Sequence, residues 1–521
     1  MQLTAVPVVR RWRCLAVGSV ASVSLICHAP AVAWAQPQAE PVAAPAPQAS
    51  PALPPSDSPG PPAVAAQQQP GAPPVRDARP AASDRGPDEE RELPDYDGRE
   101  EPSSAATALL WVPRVLLFPA WAVSEYVVRR PLGWLTSTAE REHWPTLIIN
   151  FFTFGDRQGG ILPTWLIDYG LRPSIGVYAF WNDFLVDGND LRLRLAWGGT
   201  DTWLARMTDR FEVGPGTLAL NGSYESRPDH VFYGIGDRSD ARSRHFRSIA
   251  RAGLSYDVPW IRSSYARFVA GVREVELDGD RRCCEDPSVN ERVRAGTFPS
   301  PPGMDQTYDV AEQSLTLVLD SRWPRTPEEL ELASDYVSPP GSGVRLGLRA
   351  ELAELTSQSL ATGDALARCW LHYGASLGGH VDVTGYQRAL SATVLIDFVD
   401  PLRSGAVPIT DLVSLGGERP LRGFLPSRLV DRSAAALRLE YSWPVAVWLD
   451  GELLYETGNV FGADLSGFEL ADFRSCVGFG LSAAGNQDHE FQLLLAVGTT
   501  SFRDGSELDS FRFVLGTTAG F

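Results

Sequence analysis

The sequence predicts an all-β protein: a transmembrane antiparallel β-barrel of about 16 strands, with a disordered linker and a short N-terminal helical segment ahead of it. Three observations carry that expectation. From about residue 143 to the C-terminus the hydrophobic period is two, in runs of about 9–14 residues, close to the 9–11 that cross a bilayer at a tilt. No uninterrupted apolar run of about 20 residues offers a membrane helix instead. The last run sets Phe511, Phe513, Leu515, Thr517, Ala519 and Phe521 on one face.

Composition sets the limits. Of 521 residues, 44% are hydrophobic, 10% aromatic and 21% charged, enough apolar material for a large ordered structure. The net charge is -18, and the chain has no lysine, so its 46 basic residues are all arginine. An acidic chain without a basic block argues against nucleic acid, since phosphate contacts need clustered positive charge. Six cysteines are too few for a disulfide scaffold.

Residues 1–35 read as a secretory signal. Arg10, Arg11 and Arg13 precede an apolar stretch from Cys14 to Cys27, and Ala33-Trp34-Ala35 gives a small-x-small cleavage pattern. Residues 36–102 are rich in Pro, Ala and Gln, then acidic, and read as a disordered periplasmic linker that cannot bury enough apolar area to fold. Residues 103–142 read as an amphipathic helical segment. Its apolar stretch, Leu109 to Val128, is broken by Pro113, Arg114 and Pro119 and ended by Arg129-Arg130-Pro131.

The barrel itself would occupy 143–521. Seventeen candidate strands can be marked: 143–154, 159–170, 172–182, 189–200, 202–212, 214–226, 243–256, 263–275, 310–321, 342–355, 368–381, 384–398, 432–443, 445–457, 472–483, 488–500 and 507–521. An up-and-down bacterial barrel takes an even number, with long loops outside and short turns in the periplasm. Counting back from Phe521 places the long connections 227–242, 276–309 and 399–431 outside and makes 143–154 a lead-in. The 322–341 connection falls on the periplasmic side and is long for a turn. Leu191, Leu193, Leu195 and Trp197 would face lipid, opposite Asp190, Arg192 and Arg194.

The 399–431 connection contains Gly416-Gly417-Glu418-Arg419-Pro420-Leu421-Arg422-Gly423-Phe424. This resembles the Gly-Gly…(Val/Leu)-Arg-Gly-Phe loop of the BamA/TamA superfamily of outer-membrane assembly factors and two-partner secretion transporters, also called the bacterial surface antigen family. Five strands follow the motif, as in that family's sixteen-stranded barrel. The resemblance implies a loop folded back into the lumen, formed by Gly416, Gly417, Leu421, Arg422, Gly423 and Phe424, whose arginine meets acidic groups on the next two strands. Leu439-Glu440-Tyr441 and Leu454-Tyr455-Glu456-Thr457-Gly458-Asn459 supply Glu440 and Glu456 there. Glu456 stands where the family usually has Asp, and Leu454 where it has Phe. Alternation independently turns Glu440 and Glu456 inward, the latter beside Asp450 and Glu452. Asp320-Ser321-Arg322 followed by Pro339-Pro340-Gly341 also resembles the family's Asp-x-Arg…Pro…Gly segment, and the terminal Phe521 resembles its C-terminal assembly signal.

The resemblance covers about 143–521 and not the folded modules that assembly factors carry ahead of the barrel. It implies location in the bacterial outer membrane, with outer-membrane lipid, client outer-membrane proteins or periplasmic factors as partners. Two functions stay open: insertion or transport of outer-membrane proteins, and a passive channel or structural surface antigen. No cofactor is implied. No nucleophile-and-base arrangement suggests an enzyme, and Gly234-Ile235-Gly236 lacks the lysine of a phosphate loop. Cys283-Cys284 has too few neighbouring ligands for a metal, so it would bond locally or stay free. Alternation sets Cys369 on the lipid face and Cys476 on the lumen face, so those two would not pair.

Overall fold

Unpaired backbone groups at a sheet edge are costly away from water, and these strands remove the edges by pairing in a ring. The computed structural model describes residues 150–155, 158–237, 241–322, 341–359, 365–383, 388–446, 449–483 and 491–517, and Thr138 by itself. The expected signal (1–35) and linker (36–102) lie outside the described residues. So does the 103–142 segment apart from Thr138, which is helical.

The ring runs in chain order through β2 (Gly159–Asp168), β3 (Ser174–Trp181), β4 (Asn189–Trp197), β5 (Trp203–Val213), β6 (Gly216–Phe232), β7 (Ser243–Pro259), β8 (Tyr265–Asp278), β9 (Thr307–Asp320), β10 (Gly343–Gln358), β11 (Cys369–Asp382) and β12 (Ala389–Pro401). It continues with β15 (Ser433–Ala446), β16 (Leu449–Phe461), β17 (Arg474–Ala483), β18 (Phe491–Ser501) and β19 (Leu508–Thr517). These are 16 strands, because the 17-stranded sheet also counts the two-residue β1 (Thr153–Phe154). β1 pairs with β2 at Gly159 and Gly160 and, at two residues, adds no wall strand; residues 143–149 of the expected lead-in lie outside the described residues. Every neighbouring pair is antiparallel, and β19 closes the ring on β2.

Alternation sorts the wall into two faces. Ile161, Trp165 and Ile167 on β2, Leu193, Leu195 and Trp197 on β4, and Leu315, Leu317 and Leu319 on β9 are exposed on the outside. A continuous apolar exterior of this kind would be an aggregation hazard in water. No helix among the described residues is long and apolar enough to cross a membrane.

Strand lengths are uneven. β3 has 8 residues, whereas β6 and β7 have 17 each. The sequence ends β6 at 226, but the strand continues to Phe232. From Ser226 onward almost every residue is buried, so the two-residue period that marks a one-sided strand disappears. The extensions form a cap at the end of the barrel that carries the long loops. There Phe232, Val275, Val289, Met304, Tyr308 and Val407 share one apolar cluster, which continues into the lumen through Leu415, Leu421 and Phe424.

The connection between β8 and β9 carries helix α1 (Val289–Arg294). Ser288 caps it by accepting from the Glu291 backbone while Glu291 returns the bond to the Ser288 N–H, which satisfies otherwise orphaned donors. Cys283 and Cys284 are disulfide-bonded to each other in the same connection. Cys369 corrects its sequence assignment: it is buried, not lipid-facing, because the loop end of β11 is covered on both sides, with Trp370 buried next to it.

A closed ladder should resist detergent until heated. We expect the unboiled protein to migrate apart from the boiled protein in a denaturing gel. One band at the same position in both samples would contradict a closed barrel.

Candidate functional site: the luminal loop and the seam

The connection from β12 to β15 leaves the wall and turns into the lumen. A small hairpin of β13 (Val413–Leu415) and β14 (Leu429–Asp431) narrows it, and the glycine-arginine motif forms its tip. Backbone conformation explains the glycines. Gly416 and Gly417 have φ of 104° and 75°, the left-handed region that glycine enters at no steric cost. Their N–H groups donate to the carbonyls of Pro420 (2.9 Å) and Phe424 (2.9 Å), which ties the tip into a knot. Leu421 also has a left-handed φ, 73°, a conformation that costs a non-glycine residue about 1–2 kcal/mol. It is held there by complete burial.

Gly423 answers a different need. A Cβ on it would lie 2.7 Å from Cys476 Cβ and 2.9 Å from the Val497 carbonyl, so only glycine lets the loop lie against β17 and β18. The Phe424 ring fills the space above Gly498, where a Cβ would meet its edge at 2.5 Å.

Arg422 then enters a cluster of carboxylates. Its backbone N–H donates to Glu456 Oε2 (2.7 Å) and its Nε to Glu456 Oε1 (3.1 Å). Nη1 donates to Glu452 Oε1 (3.0 Å), and Nη2 to Glu440 Oε2 (3.3 Å). The structure therefore joins Arg422 to Glu440 and Glu456 and adds Glu452 as a third direct partner. Arg438 Nε also donates to Glu456 Oε1 (2.9 Å), which the sequence reading missed. Burial alone would lower the proton affinity of Arg422, but Glu452, Glu456 and Glu440 outweigh it and hold the guanidinium above its ordinary range. Its charge is permanent, and its planar fork serves three carboxylates in a way an ammonium cannot.

The loop is also fastened on other walls. Asp411, in the turn Ile409–Asp411, pairs with Arg273 of β8, whose Nε lies 3.2 Å from Glu312 of β9. Tyr308 Oη bonds Thr410 Oγ1 at 2.7 Å. On the opposite side Ser510 Oγ donates to the Gly423 carbonyl (2.8 Å). Two residues along β19, Arg512 donates from Nη1 to the carbonyls of Gly417 and Arg422, the latter at 3.2 Å. The same guanidinium grips Asp168 at the end of β2 through Nε (3.1 Å) and Nη2 (2.8 Å). Alternation could have turned Arg512 and Asp168 inward, but nothing in sequence spacing brings residues 168 and 512 together.

This pair sits on the seam that closes the ring. Among the described residues β19 meets β2 at the register pairs Val514–Asp168, Leu515–Ile167 and Gly516–Leu166. A Cβ on Gly516 would lie 2.2 Å from the Trp165 carbonyl, so the glycine allows the close approach.

Other sequence motifs have other fates. Asp320 and Arg322 form a buried pair at the short-turn end, with Arg322 Nη2 2.6 Å from Asp320 Oδ2 and the Ser263 and Ser264 hydroxyls on their carbonyls. Residues 323–340 and 518–521, which include Pro339, Pro340, Ala519 and Phe521, lie outside the described residues. The Gly236 N–H donates to the Val430 carbonyl (2.8 Å), so the Gly-Ile-Gly turn braces the luminal hairpin.

No protein-family model matches the chain, and no curated protein matches it. Among solved structures it is similar to BamA from Haemophilus ducreyi lacking POTRA domains 1-3, with 16% identity, a TM-score of 0.45, and 69% of this chain and 70% of that one covered. It is also similar to CdiB from Acinetobacter baumannii, with 10% identity, a TM-score of 0.40, and 69% and 60% covered. OccK11 (OpdR) of Pseudomonas aeruginosa is similar at 11% identity and a TM-score of 0.32, with 68% and 94% covered.

Removing the Arg422 side chain would leave Glu440 and Glu452 without their shared partner and Glu456 with Arg438. Breaking a buried ion pair by removing one partner costs about 3–5 kcal/mol, against about 0–1 for an exposed pair. Arg422→Ala should lower the heating midpoint of the gel shift strongly, and Arg422→Lys should recover little of it. Arg419→Ala, an exposed position with a 3.3 Å bond to Ser414, should have a mild effect. Equal midpoints for the two alanine variants would show that the Arg422 cluster contributes nothing to stability.

Proposed function

We propose that this protein is a bacterial outer-membrane barrel that acts in insertion or transport of outer-membrane proteins, with the seam between β2 and β19 as its working part. What supports membrane embedding is the apolar exterior of a closed ring whose shorter strands, of 8–11 residues, match the span of a tilted strand across a bilayer. One observation carries the choice of function. The lumen holds a loop bonded to β8, β15, β16 and β19, and Arg512 of β19 joins that loop to Asp168 across the seam. A passive channel would want an open lumen. The Leu421-Arg422-Gly423-Phe424 loop, with Glu440, Glu452 and Glu456 around its arginine, supports the same reading.

Depletion tests it. Loss of other barrels from the outer membrane is the expected result, and a change confined to small-solute permeability would favour the channel. A tether gives the sharper form. Ile167 and Leu515 are register partners across the seam, both on the outer face. Ile167→Cys with Leu515→Cys, oxidised, should block client insertion, and reduction should restore it. Full activity in the oxidised protein would remove the seam from the mechanism.

A further inference from the structure

We infer that Arg512 is a positioning residue that makes closure of the seam depend on the seated luminal loop. The inference rests on the seam reading above and adds its regulation. The geometry is one continuous polar path. Glu440, Glu452 and Glu456 hold the Arg422 side chain; the Arg422 and Gly417 carbonyls accept from Arg512 Nη1; and Arg512 Nε and Nη2 hold Asp168 on β2. Arg512 and Asp168 are both buried. A single guanidinium thus bonds the loop with one nitrogen and the opposite strand of the seam with the other two.

Withdrawal of the loop takes two carbonyl acceptors from a buried cation. Arg512 then regains solvation or new partners by rotating, and the fork aimed at Asp168 is lost. Asp168 is the last residue of β2 and the register partner of Val514 across the seam. The Tyr169 N–H next to it donates to the Phe513 carbonyl at 2.8 Å, flanking Arg512. Loss of the fork therefore loosens the seam around Asp168. Ser510, two positions earlier on the same inner face, bonds the Gly423 carbonyl and keeps β19 in register with the loop. Coupling between two sites is reciprocal, so disturbing the seam must loosen the loop to the same degree.

Backbone hydrogen exchange in the full chain in lipid bicelles reads both ends independently of any insertion assay. The Tyr169 amide reports the seam. The Arg422 amide, bonded to Glu456 rather than to Arg512, reports the loop. Asp168→Asn should accelerate exchange at Arg422 by at least about fivefold, the low end of usual coupling between sites. Arg422→Ala should accelerate Tyr169 to a similar degree. The double variant should exchange at Tyr169 no faster than the faster single one. Arg512→Lys, which keeps the charge without the fork, should accelerate both amides and guards against a variant that fails to fold. Faster exchange at Tyr169 with Arg422 unchanged, in Asp168→Asn or Arg512→Lys, would overturn the coupling and leave Arg512 a local brace. Client insertion that persists in the oxidised seam tether while both amides still respond together would instead refute the proposed function and leave the coupling standing.

Discussion

A guanidinium among three carboxylates governs the inside of this barrel. Glu440, Glu452 and Glu456 converge from two adjacent strands, and without a cation they would repel one another in a partly dry space. Arg422 can reach them only if the β12–β15 connection turns back into the lumen. That requirement dictates the rest of the loop: left-handed glycines at 416 and 417, a strained but buried Leu421, and no side chain at 423 where the backbone meets β17 and β18. The wall answers in kind, since Gly498 leaves room for the Phe424 ring. An apolar pair of the same volume would be cheaper to bury, so the cluster is better understood as fixing where the loop sits than as adding net stability.

The second constraint is closure. A ring of strands must meet itself somewhere, and the meeting pair has no hairpin turn to set its register. Here the register is set by other means. Gly516 lets β19 press against the Trp165 carbonyl, and Arg512 with Asp168 supplies a directional bond between strands 344 residues apart in sequence. Buried charge at such a place specifies alignment, the best-attested use of buried ion pairs.

Sequence reading went furthest where one physical rule dominates. Sixteen strands and most of their ends were legible because one face meets an apolar exterior and the other does not, and a period of two follows. The same rule failed where both faces are covered, at the extension of β6 to Phe232 and at Cys369. Inward orientation of Glu440, Glu452 and Glu456 was also legible from parity. Their shared partner Arg422 came from a family resemblance and not from periodicity. Arg438, Arg273, Asp411 and the Arg512–Asp168 pair were not legible, because ring closure and loop path decide which inward side chains meet. Parity gives a side chain's direction and says nothing about who stands opposite.

The cap and the loop together bear on how such a barrel could work. An apolar cluster runs from Phe232 and Val275 in the cap to Leu421 and Phe424 at the loop tip, and the loop is bonded to walls on opposite sides of the lumen through Asp411 and Arg422. Opening a path down the axis would mean breaking the Asp411 and Arg422 pairs and exposing that cluster at once. The seam carries a buried charge pair, Arg512 with Asp168. The arginine that bonds the wall across the seam is the one that also bonds the loop.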